Sequence, residues 1–422
     1  MTRIPRIVSV DDHVVEPPHL WQTWLPAGLR DRGPRVVRDS FDGGPVTDWW
    51  VYEDIRKPMP IASHWAGRGR DELSLQPIGF GDMRPGFYDP NERLADMDAN
   101  HTERSMCFPN ALPRFCGQTF FEGADRQLGF ACVQAYNDWM IEEWCGDSGG
   151  RLIPLCLVPL WDPALAGDEV RRNAARGSRA ITFSELPSNL GLPSIHDKDR
   201  YWDPLFQACD ETGTVICMHI GSGSKMPTSS PDAPQGVGIA LTTQNAMVSM
   251  ADWLLSGVLR RFPNLKIAYS ESQIGWMPFM FERIDNVFLK SRAWANLDPA
   301  LDDLPTTQIP GRVYGCFFED DFGVNARDAI GIDQITFEID YPHQDTSWPD
   351  SLPYLEKIAA DLTDDEIHKI VRGNAITMLG LPETLPGEAA RPRATTSSSA
   401  AARSSMARAW RPIGRTSRSM VG

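Results

Sequence analysis

Acidic and imidazole side chains recur in this sequence just after short apolar runs, a placement from which a divalent cation could gather them. One run leads into Val10-Asp-Asp-His-Val-Val-Glu-Pro-Pro18, another into Thr182-Phe-Ser-Glu185 and a third into Met218-His-Ile-Gly221. Two more lead into Tyr269-Ser-Glu-Ser272 and Ile339-Asp-Tyr-Pro-His343. Carboxylates and imidazoles brought to one point repel and desolvate one another unless a cation neutralises them, so their convergence implies a metal centre. His219 and Asp340 are the strongest single candidates. His219 directly follows the apolar stretch Val215-Ile-Cys-Met218 and so points out of a buried strand. Taken alone, each residue has a plainer reading as a turn cap or a local hydrogen-bond partner. His19, His64, His101, His196 and His368 fall in loops or helices away from run ends and read as ordinary.

The elements that must position these groups are legible as alternating β-branched runs and helical patterns through residues 1–380, the signature of a parallel sheet built from βα units. Eight runs stand out: Arg6–Val10, Arg104–Phe108, Leu152–Val158, Arg179–Phe183, Thr214–Met218, Lys266–Ser270, Val313–Phe317 and Gln334–Ile339. Eight parallel strands close an α/β fold of the (β/α)8 TIM-barrel kind, whose chemistry sits at the C-terminal ends of the strands. The acids and histidines above occupy those ends. Asp162-Pro163 predicts a helix start, and Thr363-Asp-Asp-Glu366 a capping box whose helix stops at Gly380. Between the first two strands lies a long insertion, about residues 20–100, rich in Trp, Pro and Gly and expected to act as a lid or substrate-binding segment. Its tryptophans, with Trp161, Trp276 and Met277, could form an apolar vestibule.

Of the 422 residues, 1–385 read as one catalytic domain and 386–422 as a disordered basic tail. Seven arginines and one acid give that tail +6, leaving −21 on residues 1–385 out of a net −15. So acidic a body argues against nucleic-acid binding. No apolar run is long enough to span a membrane and the N-terminus lacks a secretory h-region, so a cytoplasmic location is expected. The eight cysteines are scattered without C-x-x-C pairs and read as reduced core residues.

The expected mouth holds the acids Asp11, Asp12, Glu16, Glu185, Glu271 and Asp340 with the imidazoles His13, His219 and His343. This set is too large and too oxygen-rich for one zinc ion and suits two metals better. With Asp11-x-His13, His219 and Asp340 as matching positions, the chain resembles the amidohydrolase superfamily over about residues 5–380. The resemblance is to the amidohydrolase-2 branch, which includes aminocarboxymuconate-semialdehyde and resorcylate decarboxylases. Asp340-Tyr-Pro-His343 and Glu282-Arg-Ile-Asp285 also look like motifs of that branch. The sequence departs from that branch after the sixth strand, where Ser270-Glu-Ser-Gln-Ile-Gly-Trp276 offers no catalytic histidine, and after the fourth strand it has Glu185 where many binuclear hydrolases of the superfamily have a carboxylated lysine.

Those replacements, with Asp-Asp-His-Val-Val-Glu-Pro-Pro, look like a branch of the superfamily containing TIM-barrel non-heme di-iron monooxygenases of platensimycin and platencin biosynthesis. That resemblance implies two Fe ions, O2, an external electron donor and a CoA-linked diterpenoid substrate that is hydroxylated. It implies metal ligands among Asp11, His13, Glu16, Glu185, His219, Glu271 and Asp340, with Glu271, Asp340 and His343 nearest the chemistry. Arg68, Arg70, Lys225 or Lys57 would then hold the CoA phosphates. The alternative is a mononuclear hydrolase or decarboxylase of the amidohydrolase-2 type using Zn or Mn. Either enzyme is compatible with a homo-oligomer.

Overall fold

The computed structural model describes residues 4–41 and 43–387, and residues up to Leu385 form one unit. Its strands in chain order are β1 (Ile7–Val14), β2 (Arg35–Asp39), β3 (Thr47–Tyr52), β4 (Ile55–Pro58), β5 (Thr102–Pro109), β6 (Leu152–Ile153) and β7 (Leu155–Cys156). They continue with β8 (Ala180–Phe183), β9 (Val215–His219), β10 (Ile267–Ser270), β11 (Val313–Phe317) and β12 (Ile335–Phe337). Each of the eight expected runs overlaps a strand. Pro154 has no N–H to give a ladder, so the third barrel strand is split into β6 and β7.

All pairings in the barrel are parallel, in the order β1-β5-β6 and β7-β8-β9-β10-β11-β12. The two sheets meet again beyond β12, where the Asp340 N–H donates to the Asp11 carbonyl at 2.9 Å and the His13 N–H to the Tyr341 carbonyl. That junction closes a TIM barrel and brings the ends of β1 and β12 together. Inside, Val8, Met106, Ile153, Ala180, Val215, Ala268 and Tyr314 form an apolar layer. The helix Asn374–Leu379 covers that layer with Ala375, Ile376, Met378 and Leu379, so the end opposite the chemistry is plugged. Burying each such aliphatic side chain is worth about 1.5–3 kcal/mol.

The outer helices start where local chemistry directs. Asp162 accepts hydrogen bonds from the Ala164 and Leu165 N–H groups to open Pro163–Ala174, and Thr363 with Glu366 forms the expected capping box. Gly380 ends the last helix at φ 62°, a left-handed conformation that glycine adopts without strain. The insertion is a folded layer in its own right. Strands β2-β3-β4 form an antiparallel sheet, and Trp21 packs edge-on against Trp50 with ring centroids 5.2 Å apart. Both of these tryptophans are therefore buried in packing. Its segment 62–66 reaches the barrel mouth, where Trp65 and Ala66 donate to the Pro342 carbonyl. The basic tail expected at 386–422 lies outside the described residues from 388 onward. All eight cysteines are buried and free, and no described helix is long and apolar enough to cross a membrane.

Candidate metal centre

A β-bulge sets the first ligands. Ser9 pairs with Ser105 and Asp12 with Cys107, so Val10 and Asp11 together oppose Met106. The extra residue lets Val8 and Val10 face the barrel core while Asp11 and His13 also face inward. Asp12 is turned outward: its Oδ1 accepts from the Tyr341 N–H at 3.1 Å and its Oδ2 from the Ser105 hydroxyl. Behind it lies Arg93, fully buried, donating to the His13 and Gly86 carbonyls.

Inside the mouth, His13 Nε2 and His219 Nε2 lie 3.1 Å apart. His13 Nε2 is 3.6 Å from Asp11 Oδ1 and 3.3 Å from Asp340 Oδ1. His219 Nε2 is 3.5 Å from Asp11 Oδ2 and 3.2 Å from Glu271 Oε2. The His219 Nδ1–H donates to the Ile220 carbonyl at 2.6 Å, which fixes the tautomer and leaves Nε2 with a bare lone pair. His343 stacks on His13 at 3.7 Å and places Nδ1 2.9 Å from Asp340 Oδ1. Glu271 and Asp340 hold left-handed backbone at φ 55° and 57°, a local strain of about 1–3 kcal/mol each. Their N–H groups are tied down by Glu338 Oε2 and the Asp11 carbonyl.

The electrostatics fit a cation. Both oxygens of Asp11 and of Asp340, and Oε1 of Glu338, are buried without a hydrogen-bond partner. Burial first, then the neighbouring acids, holds Asp11, Glu271 and Asp340 well above the usual carboxylate range and Glu338 up to about 7. Burial likewise pushes His13 well below its ordinary value, His219 down to about 3 and His343 to about 4. Neutral imidazoles beside orphaned carboxylate oxygens are the donor set of a divalent metal. Glu338 was not singled out from sequence, although it is an acid two residues before Asp340, just past the end of β12.

The structure does not bring Glu16 and Glu185 into this cluster. Glu16 Oε1 accepts from the Asn110 N–H and Oε2 from the Ala111 and Leu112 N–H groups, at 2.9–3.1 Å. Glu185 Oε1 accepts from the Gly221 N–H and the Asn245 amide. Each carboxylate pins the loop after a barrel strand, because that turn leaves N–H groups with no ladder partner. Burial raises both acids to about 7. The loop held by Glu16 matters to the centre: Asn110 donates through Nδ2 to the Ser63 carbonyl, so its Oδ1 accepts from His343 Nε2–H.

Above the cluster is a pocket of about 200 Å³ lined by Phe115, Ile220, Met226, Glu271, His343 and Ala62, among others. Glu271 and His343 are its exposed polar floor, with side chains 13% and 10% accessible, while Asp11, His13, His219 and Asp340 are at 0%. Trp161, Trp276 and Met277 do not line it, so the apolar wall comes from other residues than the expected vestibule. None of Arg68, Arg70, Lys57 and Lys225 lines it either. Arg68 and Arg70 border a separate pocket of about 370 Å³ with Trp65, Trp348 and Tyr354.

Several solved structures share this architecture. An amidohydrolase from Mycobacterium avium subsp. paratuberculosis K-10 is 23% identical, with a TM-score of 0.65 over 89% of this chain and 99% of that one. The 2,6-dihydroxybenzoate decarboxylase from Rhizobium is 19% identical, with a TM-score of 0.59 over the same shares. The 5-carboxyvanillate decarboxylase from Novosphingobium aromaticivorans, complexed with manganese and 4-hydroxy-3-methoxy-5-nitrobenzoic acid, is 15% identical, with a TM-score of 0.60 over 89% of this chain and 96% of that one. These similarities establish the fold. The amidohydrolase family model of the amidohydrolase-2 type matches residues 19–381, most of the chain, and the protein belongs to that family.

Proposed function

We propose that this protein is a divalent-metal-dependent decarboxylase or hydrolase acting on a small carboxylated substrate, with decarboxylation of a single-ring aromatic acid as the leading reading. The observation that carries it is the pocket of about 200 Å³ floored by Glu271 and His343 directly over the buried ligand cluster. Small-molecule sites for larger ligands run from about 300 to 1,000 Å³. Asp11, His13, His219 and Asp340 would hold Mn or Zn, and manganese in a neighbour that turns over an aromatic acid supports that choice. Such an ion supplies Lewis-acid polarisation of a substrate oxygen. Phe115, Ile220 and Met226 clamp an apolar ring and exclude water. His343, with Nδ1 2.9 Å from Asp340 Oδ1, carries the proton beside that carboxylate while Asn110 keeps its ring oriented. That pair delivers the proton to the ring carbon as the electrons of the C–CO2 bond return to the ring and CO2 departs. Glu271 stands at the position after the sixth strand and orients the substrate's hydroxyl.

One observation favours a second reading. Four carboxylates and three imidazoles exceed the needs of a single ion, which is the balance of a di-iron centre using O2 and an external donor to hydroxylate a CoA-linked substrate. The two readings separate on oxygen. Manganese-loaded enzyme is incubated under nitrogen with a panel of hydroxylated benzoates and CO2 release is followed. Turnover without O2 is expected. Activity appearing only in iron-loaded enzyme with reductant and O2 uptake would overturn the decarboxylase reading.

A further inference from the structure

One divalent ion at Asp11, His13, His219 and Asp340 neutralises only two of the four acids that gather there. Glu271 and Glu338 remain, and among the described residues no lysine or arginine forms an ion pair with either. Taking a charge out of water without a partner costs several kcal/mol, so two uncompensated carboxylates in one barrel would be a heavy burden on the fold. Glu338 is fully buried and aimed inward from the end of β12, with Oε1 unpartnered. Its Oε2 faces Cys316 Sγ of β11. The ligand atoms of Asp11, Glu338 and Cys316 all lie within 4.8 Å of one another, a second convergence distinct from that of Asp11, His13 and His219. Asp11 belongs to both groups and has both oxygens free of hydrogen-bond partners. Its Oδ1 lies 3.6 Å from His13 Nε2 and its Oδ2 3.5 Å from His219 Nε2, so the carboxylate stands between the two groups.

We propose that the barrel holds a second, inner cation position formed by Asp11, Glu338 and Cys316, bridged through Asp11 to the outer site, and that it takes a divalent transition metal. A thiol together with two carboxylates selects Zn(II), Co(II) or Fe(II) over Mg(II) or Ca(II), since sulfur is a soft ligand. Binding releases the thiol proton to solvent and leaves a thiolate on the metal. Two dications against four carboxylates and one thiolate leave a near-neutral interior. The inference rests on the proposed metal-dependent function, and its test separates the failure of one from that of the other.

The test is cobalt loading of the full-length protein, read by elemental analysis and by near-ultraviolet absorption for a thiolate-to-cobalt charge-transfer band. The proposal expects two cobalt ions per chain and the band. Glu338→Gln and Cys316→Ser should each fall to one ion per chain and lose the band, with folding checked by circular dichroism. One ion per chain in the unmodified protein, without the band, would overturn the inner position and leave the proposed function standing. Two ions retained in folded Glu338→Gln would also overturn it, making Glu338 a protonated core acid. No cobalt at all would overturn both. Because the band is read in the unmodified protein, the proposal stays falsifiable even if a variant fails to fold.

Discussion

Glu16→Gln separates a carboxylate that pins a loop from one that binds metal. In the native protein Glu16 Oε2 accepts two N–H bonds, from Ala111 and Leu112, and Oε1 accepts one, from Asn110. Glutamine has a single acceptor oxygen. It does best by facing the pair, which sets its NH2 against the Asn110 N–H and leaves that donor orphaned, at a cost of about 1–3 kcal/mol. The two remaining bonds change from charge-assisted to neutral and weaken further. Against this, the amide escapes the burial cost that holds the native carboxyl up to about 7. The net expectation is a loss of about 1–2 kcal/mol, from the lower part of the orphaned-donor range. Urea unfolding at a pH above that value measures it, with metal content determined on the same samples. Stability should fall while metal per chain is unchanged, and turnover should fall as Asn110 loosens its hold on His343. A folded variant of native stability that has lost metal would refute the loop-pinning argument and restore Glu16 as a ligand.

Asp12→Asn should destabilise the protein by about 1–3 kcal/mol in urea unfolding, because it removes the charge that attracts the buried Arg93 and disturbs the acceptor of the Tyr341 N–H and the Ser105 hydroxyl. A change under about 1 kcal/mol would mean that Arg93 is satisfied by its carbonyl partners alone. Metal removal should make stability more steeply pH-dependent. Folding raises Asp12 from 3.8 to about 6 and Glu16, Glu185 and Glu338 from 4.5 to about 7, so the native state holds protons that the unfolded chain releases. Stability from these acids is fully present below their ordinary values and is lost as pH rises through 6 to 7. His219 and His343 act in the opposite sense, losing stability as pH falls below 6.5. The acids outnumber them, so chelated protein should melt at lower temperature as pH rises through 7, and added metal should remove the part of that decline that comes from Glu338 while leaving the part from Asp12, Glu16 and Glu185. A chelated protein whose melting temperature rises over the same range would contradict the assignment.

The eight barrel strands were legible because β-branched runs bounded by helical patterns are a local signal, and their ends carried the right residue types. What stayed hidden were facts of local geometry. Alternation assigns Asp11 and Asp12 to opposite faces, but only the bulge opposite Met106 decides which face is inward. Glu16 and Glu185 have the right chemistry just past strand ends, yet unpaired loop N–H groups claim them, and sequence does not count those donors. Glu338 was within reach, since it is an acid at the same strand end as Asp340, which was already singled out. Cys316 was not, because a cysteine in an apolar run reads as core and gains meaning only beside Glu338. The tryptophans of the insertion illustrate the same limit: composition marks an aromatic layer without saying whether it faces a substrate or, as with Trp21 and Trp50, itself.

The central claim is that a metal sits between His13, His219, Asp11 and Asp340 at the barrel mouth. The most direct measurement is anomalous scattering from crystals of manganese-loaded or zinc-loaded protein, collected on either side of the metal absorption edge. The account predicts an anomalous peak about 2.0–2.2 Å from the Nε2 atoms of His13 and His219, with Asp11 and Asp340 oxygens turned towards it. Metal-loaded crystals with no peak there, or with the metal held only by surface residues, would contradict it.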